Sequence, residues 1–251
     1  MVISSDNIAL PGSRDKAEQK ATMITEKSVQ QPTNLYYDLY LPDGETAVPR
    51  PMLIALHGYE GNKESMMSLA QKINSKDFVI TSVQGPNAFF VRSDSDPNSQ
   101  KIGFGWMMRY KAQETIKLHH QTLLSIIETT AAEFAVDRRA IFLLAFSQSV
   151  ALNYRFAFTH PGVARGIIAV CGGIPGDWDE DKYHHSETDV LIIAGETDEF
   201  YPLSRTRTFK DAIKKRSPCV DFRSFPTGHV FPRESLSVIN DWIGERLNKK
   251  L

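Results

Sequence analysis

The sequence predicts an α/β fold, a mostly parallel sheet flanked by helices on both faces. Three observations lead there. Short apolar runs rich in branched residues alternate with segments of helical periodicity through most of the chain, and such alternation requires crossover connections between parallel strands. The apolar runs are not two-periodic, as expected of strands covered on both faces. The 251 residues suffice for one sizeable domain around a single large core, expected here over residues 25–251 behind a polar N-terminal extension, residues 1–24.

Taken in order, the segment Met23 to Leu41, broken by Gln31-Pro32-Thr33-Asn34, reads as an antiparallel hairpin at the start of the sheet. Met52 to Leu56 is an apolar strand ending in His57-Gly58, and Met66, Ala70 and Ile73 mark the helix after it. Phe78 to Val83 is the next strand. Gln84 to Tyr110 follows as the longest irregular stretch, with Asp94-Ser95-Asp96-Pro97-Asn98 and Gly103-Phe104-Gly105-Trp106 inside it. A loop of that length in a compact domain is often functional, and ligands of open parallel sheets bind beyond strand carboxyl ends. Ile116, His120, Leu123, Ile127, Ala131 and Phe134 form one helical stripe; Ala140 to Phe146 is a strand and Val150 to Phe158 helical. Gly166 to Val170 and Val190 to Ala194 are further strands, and about twenty residues between them leave no room for an inserted cap domain. Phe209, Ala212 and Ile213 mark a helix ending in Lys214-Lys215-Arg216, where cations suit the negative helix terminus. Leu236, Ile239, Ile243 and Leu247 mark the last helix.

Composition removes several classes. With 29 basic and 30 acidic residues the formal charge is −1, which gives no field to gather nucleic acid or anionic lipid. The longest apolar runs fall far below the ~20 residues needed to span a bilayer. Asp6, Arg14, Asp15, Lys16 and Glu18 leave the first residues without the apolar core of a secretory signal. Two cysteines, Cys171 and Cys219, cannot make a disulfide framework, so a cytoplasmic, reducing setting is expected.

Four segments carry chemistry. Ser147 lies between the strand Ala140 to Phe146 and the helical run from Val150, with the small residues Ala145 and Ser149 two positions either side. Such a strand-to-helix elbow lifts a nucleophilic hydroxyl clear of the backbone at a helix N-terminus; the plainer alternative is that Ser147 caps the helix. His57-Gly58-Tyr59 closes the first core strand, where a glycine lets the backbone approach a substrate closely. The backbone N–H groups of Tyr59 and Gln148 would form an oxyanion hole; the alternative is an ordinary turn. Asp198, just past Val190 to Ala194 and before Pro202, would orient a histidine or merely cap a turn, with Asp177 and Asp179 as less favoured acids. His229 follows Gly228 after the last strand. His57, His119, His120, His160, His184 and His185 lack that context, and His120 reads as a half-buried packing residue. The histidine pairs have no partners at metal-ligand spacing, so no metal and no cofactor is expected. Phe89, Phe90, Phe104, Trp106 and Met107 are candidates for an apolar acyl or alcohol pocket, or else a cluster that pins the long loop.

At these residues the sequence resembles the α/β-hydrolase superfamily, and within it the small lidless serine esterases of the phospholipase/carboxylesterase (acyl-protein thioesterase-like) group. The resemblance rests on His57-Gly58, Phe146-Ser147-Gln148 with Ala151-Leu152, Gly195 to Pro202 with Asp198, and Gly228-His229, and covers about residues 50–247. Ser, Asp and His also come in the α/β-hydrolase chain order. It implies a catalytic triad Ser147, Asp198 and His229 and an oxyanion hole of the Tyr59 and Gln148 amides. The family's Gly-Phe-Ser-Gln-Gly-Gly is here Ala145-Phe-Ser-Gln-Ser149-Val150, a departure that bears on elbow width or acyl specificity. The expected activity is hydrolysis of carboxylic esters or thioesters through an acyl-enzyme. The expected partner is a small-molecule ester, with Trp106, Phe104, Met107 and Phe90 in contact with it, and neither nucleic acid nor membrane insertion. A peptidase, an acyltransferase or a non-catalytic ligand-binding relative would keep the same residues. Dehalogenase and epoxide hydrolase chemistry needs an acid where Ser147 stands.

Overall fold

A computed structural model describes residues 25–31, 33–44, 48–92 and 100–248. Contacts divide the chain into residues 1–34 and 35–251. In the first unit, residues 25–31, 33 and 34 carry neither helix nor strand. The second unit opens with β1 (Tyr37–Tyr40), β2 (Arg50–Leu56), α1 (Lys63–Asn74) and β3 (Val79–Val83). Next come β4 (Asn87–Arg92), β5 (Gln100–Gly105), α2 (Ala112–Glu133), β6 (Val136–Phe146) and α3 (Gln148–Thr159). It ends with β7 (Gly166–Val170), β8 (Asp189–Gly195), α4 (Leu203–Lys214), β9 (Val220–Phe225) and α5 (Ser235–Asn248).

Seven strands form one sheet in the order β1-β3-β2-β6-β7-β8-β9. All neighbours run parallel except β1, which is antiparallel to β3. Alternate side chains of the central strands feed two cores. Met52, Ile54, Leu143, Ala145, Ile167 and Ile192 pack with α2, α3 and α4, while Leu53, Ala55, Phe142, Leu144, Ile168 and Ile193 pack with α1 and α5. Both faces of these strands are therefore covered, which is why their sequences read as continuous apolar runs. Local chemistry fixes the helix starts: the Asn62 side chain accepts the Ser65 N–H at 2.8 Å and caps α1.

Two expectations are corrected. The hairpin expected over Met23 to Leu41 does not form among the described residues: only Tyr37–Tyr40 is extended, and its partner is β3. Met23 and Ile24 lie outside the described residues. The stretch Gln84 to Tyr110 is not irregular, because β4 and β5 pair antiparallel from Asn87↔Gly105 to Arg92↔Gln100; Asp94 to Asn98 lie outside the described residues. No cap domain interrupts the fold, since 171–188 between β7 and β8 holds only turns and bends. The parallel arrangement brings the carboxyl ends of β2, β6, β7, β8 and β9 to one edge, and the candidate residues follow those ends.

Candidate active site

Ser147 joins β6 to α3 in a backbone conformation most side chains avoid, φ 56° and ψ −113°. It does not cap the helix: its side chain makes no capping bond, and its Oγ lies 2.8 Å from His229 Nε2. The turn is held by Ser147 N–H donating to the Val170 carbonyl (2.9 Å) and Val150 N–H donating to the Ser147 carbonyl (3.1 Å). A non-glycine residue in this region costs about 1–3 kcal/mol, which surrounding structure must hold in place.

Asp198, 4% exposed, follows β8. Its Oδ1 accepts the Phe200 and Tyr201 N–H groups at 2.9 Å each, and its Oδ2 lies 2.9 Å from His229 Nδ1. An ionised carboxylate only accepts, so the proton sits on Nδ1 and leaves Nε2 to accept the Ser147 hydroxyl. Phe146, Phe200 and Tyr201 set their rings 5.2, 4.9 and 5.8 Å from the imidazole. These contacts fix ring orientation on a loop that has left β9. Asp177 is engaged elsewhere, with Arg155 at 2.7 Å, Lys182 at 2.6 Å and the Tyr183 hydroxyl at 2.9 Å. Arg155, Lys182 and Tyr183 hold its carboxyl far below the usual carboxylate range against the opposing cost of burial. Asp179 is exposed.

Gly58 sits closer to the elbow than to open space: a Cβ there would come 2.7 Å from the Phe146 ring and 3.2 Å from Ser147 Cβ. The close approach required of this glycine is to the elbow itself. The Gly58–Tyr59 peptide is held at its oxygen, which lies 2.7 Å from His57 Nδ1 and accepts the Gly61 N–H at 3.1 Å. A carbonyl only accepts, so Nδ1 carries the proton. Nε2 correspondingly accepts the Gly85 N–H at 2.9 Å. Burial lowers the His57 pKa below the usual histidine value, consistent with this neutral tautomer. Sequence reasoning set His57 aside as lacking context, yet it orients the peptide whose N–H belongs to Tyr59.

Gln148 contributes more than its amide. Its side-chain Oε1 accepts the Trp106 N–H at 2.8 Å and its Nε2 donates to the Met107 carbonyl at 3.2 Å. Trp106 is 2% exposed and donates its indole N–H to the His57 carbonyl at 2.8 Å. One tryptophan thus ties the end of β2 to the start of α3.

The cleft beside Ser147, about 1170 Å³, is lined by Tyr59, Gln148, Ile174, Pro175, Tyr201 and Phe209 among others. None of the four residues expected to contact substrate is among those that line this cleft. Trp106 is buried beneath the strand ends. Met107 packs against the core, Phe90 is 69% exposed, and Phe104 lies on the hairpin, bridged to Gly61. Phe89 instead stacks on the Tyr59 ring at 4.7 Å. Phe90 and Phe104 sit on the β4–β5 hairpin, and Trp106 and Met107 follow it. Ile174 and Pro175 follow β7, and Tyr201 and Phe209 follow β8, beyond strand carboxyl ends where ligands of open parallel sheets sit.

Cys171, also in the left-handed region with φ 47°, is no rival nucleophile. Burial first, then the neighbouring Asp198 charge, pushes its thiol up to about 12. Its Sγ–H lies 3.4 Å from the Val230 carbonyl, beside His229. Among the described residues no group of three or more His, Cys, Asp or Glu side chains is placed to hold a metal ion. No helix among them is long and apolar enough to cross a membrane.

Solved structures share this fold. The Bacillus cereus carboxylesterase superposes with a TM-score of 0.65 at 16% identity, over 84% of this chain and 94% of that one. Esterase PE8 gives 0.64 at 18% identity, over 85% and 99%. Arabidopsis thaliana SOBER1 gives 0.62 at 16%, over 79% and 100%. At such identities the likeness speaks for the fold alone. The sequence model described as phospholipase/carboxylesterase matches residues 45–246. That match takes in most of the sheet, four helices with nearly all of the fifth, and every residue of the site, and on it the chain belongs to the phospholipase/carboxylesterase family of α/β-hydrolases.

Proposed function

We propose that the protein is a serine hydrolase that cleaves carboxylic esters of small or exposed acyl groups, thioesters included, through an acyl-enzyme on Ser147. The observation that carries this reading is the unbroken chain Asp198–His229–Ser147, with contacts of 2.9 and 2.8 Å. His229 removes the Ser147 proton as the hydroxyl attacks the carbonyl carbon, a contribution of about 10²–10⁴-fold. Asp198 holds the tautomer and stabilises the imidazolium; its remaining oxygen, already engaged by two backbone amides, keeps it from swinging away. The tetrahedral oxyanion is received by the Tyr59 and Gln148 amides, each such donor being worth about 10²–10³ in turnover. The alcohol or thiol leaves with the proton from His229. Water activated by the same imidazole then releases the acid. The two unpaired cysteines suit a reducing, cytoplasmic setting.

The test is fluorophosphonate labelling followed by a chain-length series of 4-nitrophenyl esters. Wild type is expected to label at Ser147 and to turn over the short esters. Ser147→Ala is expected to lose at least about 10³-fold in kcat with its melting temperature retained. Near wild-type turnover in that variant removes Ser147 from the mechanism. Amide cleavage at rates matching ester cleavage would favour a peptidase.

A further inference from the structure

We propose that Arg205 determines specificity, and that the cleft takes esters carrying an anionic group, such as a carboxylate, on the branch that runs toward α4. The proposal rests on the esterase reading above and names the substrate class of that same site.

The sheet order gives the cleft two ends. Ser147 follows β6; β2 lies on one side of it, with β7 and then β8 on the other. Glu60 follows β2 and Arg205 follows β8, and both line the cleft. The nucleophile therefore stands between an acid on one side and a guanidinium on the other. The wall between Ser147 and Arg205 is apolar and aromatic, made by Ile174, Pro175, Tyr201 and Phe209. An anionic group is repelled by Glu60 and drawn toward Arg205, while the apolar wall holds the linking methylenes.

Arg205 has no ionic partner among the described residues. Among the described residues no carboxylate lies within 4 Å of its guanidinium, whose only close ring is Phe209, 5.9 Å to the centroid. Its placement also runs against local preference. It stands in the first turn of α4, where cations are disfavoured by the helix dipole, and that turn holds no acid. An arginine fork matches a carboxylate in two-point geometry, and none of the described residues supplies one on this wall.

The experiment compares matched ester pairs. On the acyl side they are mono-4-nitrophenyl adipate and 4-nitrophenyl hexanoate; on the alcohol side, 4-acetoxybenzoate and phenyl acetate. The readout is the ratio of kcat/KM for the anionic over the neutral member. In the arm that reaches Arg205, this ratio is expected to fall about fivefold in Arg205→Ala, mainly through KM, as for a solvent-accessible ion pair. Arg205→Lys recovers part of it, Arg205→Glu drops it further, and high salt shrinks the wild-type preference. Ratios unchanged in both arms of Arg205→Ala, or equal losses on anionic and neutral esters, overturn the proposal while leaving the esterase reading intact. No turnover of any ester by wild type overturns both.

Discussion

His57 and Val150 show how single side chains shape the elbow region without touching a reacting atom. His57 presents Nδ1–H to the Gly58 carbonyl while Nε2 takes the Gly85 N–H, so the peptide ahead of Tyr59 cannot rotate freely. His57→Ala removes the clamp and leaves the Gly85 N–H without its buried acceptor. We expect kcat on a neutral nitrophenyl ester to fall about 10–100-fold with KM nearly unchanged, as for loss of a group that orients an oxyanion donor. A kcat within twofold of wild type, in a variant whose melting shows it folded, would show that the Tyr59 amide needs no such support. Val150 stands where the family pattern has glycine. It fits because Gly172 faces it: a Cβ on Gly172 would come 2.4 Å from Val150 Cβ. Ser149, in place of the adjacent glycine, is fully buried and its Oγ contacts the Leu56 and Phe146 carbonyls at 3.0 Å each. Ser147, Asp198 and His229 could be read from the sequence because each follows a strand in plain view. The roles of His57 and Gly172 could not, since each depends on a partner far away in the chain.

At the scale of elements, the parallel strands were legible from their apolar runs and the helices from their stripes, because burial on both faces leaves a local imprint. The β4–β5 hairpin left none. Its strands are six residues each, they are stabilised by pairing rather than by a buried face, and exposed Phe90 lies opposite exposed Ile102. Just past that hairpin, Trp106 is 2% exposed and links the end of β2 to the start of α3 through its two N–H groups. Trp106→Phe keeps a ring in place but removes the indole N–H, and the His57 carbonyl loses that donor in a buried setting. A buried acceptor left unpaired costs about 1–3 kcal/mol. Denaturant titration should show that loss, and ester turnover should fall with it because both amides of the proposed oxyanion hole hang from this joint. Unchanged stability would mean that water replaces the indole, and unchanged turnover that the elbow holds itself.

Across the molecule, the acid response is set away from the cleft, where α2 meets α3. His119 is fully buried among Trp106, Phe156 and His120, and neither of its ring nitrogens has a hydrogen-bond partner. Burial first, then the charge of His120, holds its pKa down at about 3; Asn153 of α3 opposes this only weakly, closing no full hydrogen bond with the ring. His120 is held at about 4 by burial, then by His160 and Arg155. The sequence marked His120 as packing and gave no sign of the depression, which arises from two helices meeting. In the unfolded chain both rings titrate near 6.5. Between that value and the folded one the unfolded state binds more protons, so stability is complete above pH 6.5 and is lost as pH falls toward 3–4. For His119 the loss at about pH 4.5 is roughly 2–3 kcal/mol; His120, partly reached by water, adds less. Melting curves from pH 8 down to 4.5 should therefore fall more steeply for wild type than for a His119→Leu, His120→Gln variant, whatever their difference at pH 8. Parallel slopes would remove the two rings as the source of acid sensitivity above pH 4.5; Asp177 could not replace them, because its pairing with Arg155 and Lys182 is lost only well below this window.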